Sequence, residues 1–184
     1  MSRPDENQRL LWTPLWVWQG LSNIVTTLGV LGLLFAGVQY WQAREEGRAA
    51  ETLNLIDIWE TRGYDDDFAK LRAAVTEFMA AVPEADMAAV AANARAAENL
   101  RTKMYRQVLG QPELEAAFER VVYFYNRLGL CVQANLCSTR TARIFFAEPF
   151  AAFRSNFASR IQSDSAALPG YANGLDLLAE RILD

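Results

Sequence analysis

Hydrophobic and polar positions follow two different rules along this chain. Between Arg9 and Arg44 no residue carries a charge, so Leu10 to Ala43 forms one uninterrupted neutral run. Beyond Arg44 apolar residues return every three or four positions with charged residues between them, the period of a helix with one buried face. No segment alternates with period two and no internal repeat is visible. The pattern predicts an all-α protein: an N-terminal transmembrane helix continuing into a stalk, then a small bundle of about five helices. The expected divisions are a tail over 1–9, a membrane span with aromatic flanks over 10–43, and a soluble domain over 44–184 whose first part, 44–62, is the stalk.

The neutral run is long enough to span a bilayer, since crossing a ~30 Å hydrocarbon layer takes about 20 apolar residues as a helix. Its core, Leu21 to Val38, is dense in Leu, Val, Ile, Gly and Phe. Trp12, Trp16 and Trp18 flank it on one side and Tyr40 and Trp41 on the other, as amphipathic rings do at headgroup level. A cleavable leader would need small residues just before the cut, where Tyr40 and Trp41 stand instead. One arc of the span is small: Ser22, Thr26, Gly29, Gly32 and Ala36 fall within roughly 120° at 100° per residue. Small residues let helices approach closely in lipid, so this face is a candidate docking surface for another transmembrane helix.

In the soluble part, Ala49, Leu53, Ile56 and Trp59 predict a stripe along the stalk, which Gly63 ends. Asp65, Asp66 and Asp67 suit the first turn of a following helix, where acidic side chains complement the helix dipole, better than they suit a metal site. That helix carries Phe68, Leu71, Val75, Phe78 and Met79 and stops at Pro83. Residues 84–109 predict one Ala-rich, partly exposed helix with Met87, Val90, Ala94, Leu100, Met104 and Val108 on one side. Pro112 opens the central helix, with Leu114, Phe118, Val121, Val122, Tyr125 and Leu128; the run Tyr123, Phe124, Tyr125 reads as core rather than as a ligand pocket. Asn135 is a left-handed stop and Ser138 the cap of a Phe-rich helix that Pro149 should kink or split. Ser163 to Gly170 reads as a loop, and Tyr171, Leu175, Leu178 and Ile182 as a closing helix.

Composition narrows the chemistry. The chain has 184 residues, a formal charge of −4 and no His, so the basic clusters that bind nucleic acid and the commonest general base and metal ligand are missing. Two cysteines, Cys131 and Cys137, are the whole thiol inventory. Their spacing fits neither a redox CxxC nor a zinc site; they stand either as a possible redox pair or as two small buried residues. So few cysteines lean towards a reducing compartment. Arg140, Arg143, Arg154 and Arg160 read as a solvated face with local ion pairs rather than an anion patch. No phosphate loop, nucleophile elbow or paired-carboxylate motif is present. The expectation is a protein that is not an enzyme, with no catalytic residue, cofactor, metal or small-molecule substrate, whose partners are the lipid bilayer and other transmembrane helices.

Three stretches carry a family resemblance: REEGRAAETLNLIDIWET after the span, YFYNRLGLCVQANLCS at a helix–turn–helix junction, and PGYANGLDLLAERI at the end. Together they resemble DUF4760, a bacterial family of unknown function, over most of residues 42–184 except an Ala-rich stretch near 84–104. The resemblance implies a membrane-tethered helical domain in bacteria and supplies no site residues. The functional expectation is an accessory or scaffolding subunit of an inner-membrane assembly. The alternatives are a self-associating effector or sensor in stress or phage defence, and a thiol redox sensor. The unpaired look of the two thiols and the short N-terminal tail place the N-terminus outside and the domain in the cytoplasm.

Overall fold

In the computed structural model the backbone is described for residues 9–10 and 13–183, and side chains from residue 26 to 183. Two short strands, β1 (Arg9–Leu10) and β2 (Thr13–Pro14), pair antiparallel with Arg9 opposite Pro14. Everything else of regular structure among the described residues is helical: α1 (Leu15–Thr61), α2 (Tyr64–Ala80), α3 (Glu84–Ala92), α4 (Ala94–Val108), α5 (Pro112–Gln133), α6 (Thr139–Ala167) and α7 (Asn173–Ile182). The all-α class read from the hydrophobic period is therefore correct, with six helices rather than about five following α1. The chain divides into two compact units, Met1–Glu46 and Gly47–Asp184. Among the described residues no helix is long and apolar enough to cross a membrane. The apolar core expected over 21–38 lies partly outside the described side chains, which begin at residue 26.

The second unit is built around α5, which packs most extensively against α7 and then α2. Its 22 residues place Phe118, Val121, Val122, Phe124, Tyr125, Leu128 and Val132 inside. The core is largely aromatic. The Trp59 ring lies 4.6 Å from Phe124, 5.5 Å from Tyr125 and 5.7 Å from Phe146, while Phe118, Phe153 and Phe157 form a second cluster at 5.3–5.6 Å. Tyr123, one residue from this cluster, points outward and is 59% exposed. Of the expected stalk stripe, Trp59 is buried and Ile56 packs partly buried against the core, but Leu53 is exposed and Thr52 and Leu55 are buried in its place. Thr52 displaces the apolar choice because its hydroxyl has partners inside.

Local signals set most helix ends. Gly63 (φ 73°) and Asn135 (φ 56°) adopt the left-handed conformation that ends a helix. Ser138 Oγ accepts from Thr141 N at 3.3 Å and caps α6. Three expectations need correction. The Ala-rich stretch is two helices, because Asn93 is extended (φ −146°, ψ 117°) and its side chain accepts from Arg95 N at 2.8 Å, starting α4 afresh. Pro149 does not kink α6; the dihedrals leave the helical region at Phe157 (φ −111°, ψ 17°), where the ring enters the Phe118–Phe153 cluster. And α6 runs through Ser163 to Ala167, so the loop is only the short turn before α7.

Candidate functional site

Two places stand apart from the packed core. The first is the α1 segment within the unit Met1–Glu46. Leu28, Val30, Leu31, Leu33, Leu34, Phe35 and Val38 are each more than half exposed, as are Tyr40 and Trp41. At 100° per residue these positions cover about two thirds of the helix circumference, and the remaining arc of about 120° holds Gly29, Gly32, Ala36 and Gln39, so no face carries charge. A side chain added at Gly29, Gly32 or Gly37 would meet no atom within 4 Å. Of the docking face expected from the sequence, Gly29, Gly32 and Ala36 are uncovered and share one helix, while Thr26 has an interaction of its own. The side chains of Ser22, Trp16 and Trp18, and Trp12 altogether, lie outside the described residues. A second apolar strip on the same helix, over Leu33, Leu34, Gly37, Val38 and Trp41, ends at Gln42 and Glu45.

The second place is the α5–α6 turn. Cys131 and Cys137 are joined by a disulfide across it, with their Cα atoms 5.2 Å apart. The backbone closes the same loop, since Leu136 N and Cys137 N both donate to the Cys131 carbonyl at 3.0 and 3.2 Å. The turn is fastened to the lower part of α1. Arg48 Nε donates to the Asn135 carbonyl (3.0 Å), and Ser138 N donates to the Arg48 carbonyl (3.2 Å) and to Thr52 Oγ1 (2.8 Å). Thr52 Oγ1 in turn donates to the Arg48 carbonyl at 2.9 Å. Thr52 and Cys137 are fully enclosed, at 0% and 2% exposure. The spacing alone left the cysteines open between a pair and two separate core residues; the fold makes them a pair. The unpaired thiols that favoured a cytoplasmic domain are thereby removed as a reason.

The charged groups resolve into structural contacts. Asp67 is buried and its Oδ2 lies 3.1 Å from Arg120 Nε; the N–H does not point along that line, so charge rather than a directed hydrogen bond partners this oxygen. Arg120 also donates to the Arg62 carbonyl at 2.6 Å and lies over the Tyr64 ring, pinning the α1–α2 turn to α5. Arg143 donates to the Arg181 carbonyl, Arg154 pairs with Asp176, and Arg160 bonds Asp164 (2.7 Å) and Glu115 (3.4 Å). The hydrogen bond to Asp164 leads the effects that hold the Arg160 guanidinium more firmly charged than usual. Burial, and then its hydrogen bond to Glu119 (2.7 Å), raises the Tyr171 phenol above its ordinary range. Tyr125 is raised by burial, and its hydroxyl has no hydrogen-bond partner. No group of three or more acidic or sulfur ligands is placed to hold a metal among the described residues. A groove of about 430 Å³ between α6 and α7 is lined by the Arg154–Asp176 pair, the polar side chains of Ser155, Gln162 and Ser165, and the apolar Ala151, Ala158, Ile161 and Leu183.

No known family, no curated protein and no solved structure matches this chain.

Proposed function

We propose that this chain is a single-pass, membrane-anchored helical protein of non-catalytic, protein-interaction type, an accessory subunit of a bacterial inner-membrane assembly. The observation that carries the reading is the α1 segment over residues 28–41, uncharged throughout, with exposed large apolar side chains around most of its circumference and small residues on the rest. Apolar surface in water costs roughly 25 cal/mol per Å², and exposed apolar patches of this extent are sites for lipid or for another protein. Taken with the uncharged residues that precede it in the sequence, this stretch, flanked by Tyr40 and Trp41, supports a span whose backbone groups are satisfied within the helix. Gly29, Gly32 and Ala36 then offer the close-approach face through which a neighbouring span would dock. The helical unit would supply the second contact. Its packed aromatic core and its surface ion pairs support a role as a folded binding module.

The test is purification of the tagged full-length protein from its native membranes in mild detergent, with extraction of a parallel sample at alkaline pH. Retention in the alkaline-washed membrane together with a stoichiometric set of other subunits is the expected result. Release into the wash would sink the anchor. A pure homo-oligomer would replace the accessory subunit with a self-associating effector.

A further inference from the structure

The only two thiols of the chain close a single bond, and that bond sits where three helices meet. Cys131 belongs to the last turn of α5 and Cys137 precedes the Ser138 cap of α6; Asn135 between them is held on α1 by Arg48, and Ser138 just beyond them by Thr52 and the Arg48 carbonyl. Cys137 is enclosed, and the hydrogen bonds of Leu136 N and Cys137 N to the Cys131 carbonyl fix the loop in the shape the bridge requires. Cystines of this kind persist in oxidising compartments, whereas the thiol pools of the bacterial cytosol keep cysteines reduced.

We infer that the helical unit of residues 47–184 is exported to the oxidising side of the membrane, where the Cys131–Cys137 cystine closes the α5–α6 turn that hydrogen bonds fasten to Arg48 and Thr52 of α1. This placement rests on the anchored reading above and reverses the orientation expected from the sequence, leaving the N-terminus with Arg3 and Arg9 inside. Loops and domains of this length translocate largely irrespective of their charge, so Arg44 and Arg48 beyond the span do not forbid export. The oxidant is a disulfide-exchange protein of that compartment. A thiolate of one cysteine attacks the oxidant's disulfide, releasing one of its sulfurs as thiolate and forming a mixed disulfide. The second cysteine's thiolate displaces the other, so the chain is oxidised by two electrons and the oxidant leaves as a dithiol.

The test uses the full-length protein in a bacterial host. Cells are quenched in acid and alkylated with a polyethylene-glycol maleimide before or after reduction, in strains with and without the periplasmic disulfide oxidant. C-terminal fusions to alkaline phosphatase and to a cytoplasm-only fluorescent protein report the side. The expected result is no mass shift before reduction, a two-thiol shift after it, a two-thiol shift without reduction in the oxidant-deficient strain, an active phosphatase and a dark fluorescent fusion. Two free thiols in the wild-type strain, a bridge that forms without the oxidant, or a fluorescent fusion with inactive phosphatase would overturn the inference. Alkaline extraction of the same cells separates the two readings: a bridged protein released into the wash defeats the anchor, and a retained protein with free thiols defeats export.

Discussion

Gly129 on α5 and Gly174 at the start of α7 meet backbone to backbone: a side-chain carbon built on either would overlap the other segment, at the Gly174 carbonyl from one side and at Asn126 from the other. Asn126 Oδ1 accepts from Gly174 N at 2.6 Å at the same crossing, so the absent side chains permit a hydrogen bond as well as close packing. Replacing Gly129 with Ala forces α5 and α7 apart, and overpacking of this sort costs typically 1–3 kcal/mol. The expected outcome is a loss of about that size in denaturant unfolding of the detergent-solubilised protein. Gly47→Ala is the contrasting variant. Gly47 lies within α1 with nothing near it, so Ala there should be neutral or stabilising by up to ~1 kcal/mol. Equal effects at the two positions would contradict the close crossing.

Tyr125 has the opposite problem, a polar atom where none is used. Its ring packs among Trp59, Phe124, Phe146, Phe150 and Phe153, and its buried hydroxyl has no hydrogen-bond partner. An unsatisfied buried polar group costs about 1–3 kcal/mol. Tyr125→Phe keeps the ring and should leave the protein as stable as the parent or more so. Alkaline behaviour gives a second reading. Because burial raises the folded-state pKa above the ordinary value near 10, the unfolded chain loses this proton first, and stability falls as pH climbs past about 10. The Phe variant should lose part of that alkaline decline. Melting curves of both proteins between neutral and strongly alkaline pH decide the matter.

Much of this fold was legible because its signals are local. Gly63, Asn135 and Ser138 each act within their own turn, and each was placed correctly from the residue type. Asn93 had an equally local signal, a strong N-cap, but the surrounding alanines read as one helix and hid it. Pro149 misled because proline costs one hydrogen bond to α6 without forcing its dihedrals out of range, while the break comes at Phe157, whose ring packs with Phe118 and Phe153. The buried polar residues were invisible for the same reason. Thr52 finds Ser138 N far along the sequence, and Asp67 finds Arg120 on another helix; neither pairing leaves a trace in helical period. The small-residue face on α1 could be listed position by position from spacing, but spacing says nothing of what docks there.

The Asp67–Arg120 contact yields a prediction about coupling. Asp67 is buried, Arg120 half-exposed, and Lys70 approaches Asp67 only at 3.5 Å. Arg120→Met keeps the stem length but removes the charge, the hydrogen bond to the Arg62 carbonyl and the contact with the Tyr64 ring. A loss of about 1–3 kcal/mol is expected, most of it from leaving a buried carboxylate without its cation. In a double-mutant cycle with Asp67→Asn, a coupling energy near 1 kcal/mol or more is expected between residues in contact. Additive losses would assign the contribution of Arg120 to Arg62 and Tyr64 instead.

The docking face of α1 makes the most direct functional prediction. In lipid, leucine is as apolar as the chains around it, so Gly29→Leu with Gly32→Leu should not weaken membrane retention. What the two leucines change is the distance at which a second helix can approach, because a bare backbone now carries bulk. The double variant should therefore remain in alkaline-washed membranes yet lose its partners, or lose self-association if the partner is another copy. Substituting Leu33 and Leu34 with Ala is the control, since it alters the adjacent strip without blocking the face. Native gels of the solubilised complexes read the outcome. Unchanged migration of the Gly29, Gly32 variant would remove this face from assembly, and a shift with Leu33 and Leu34 alone would move the interface to the strip running through Gly37 and Trp41.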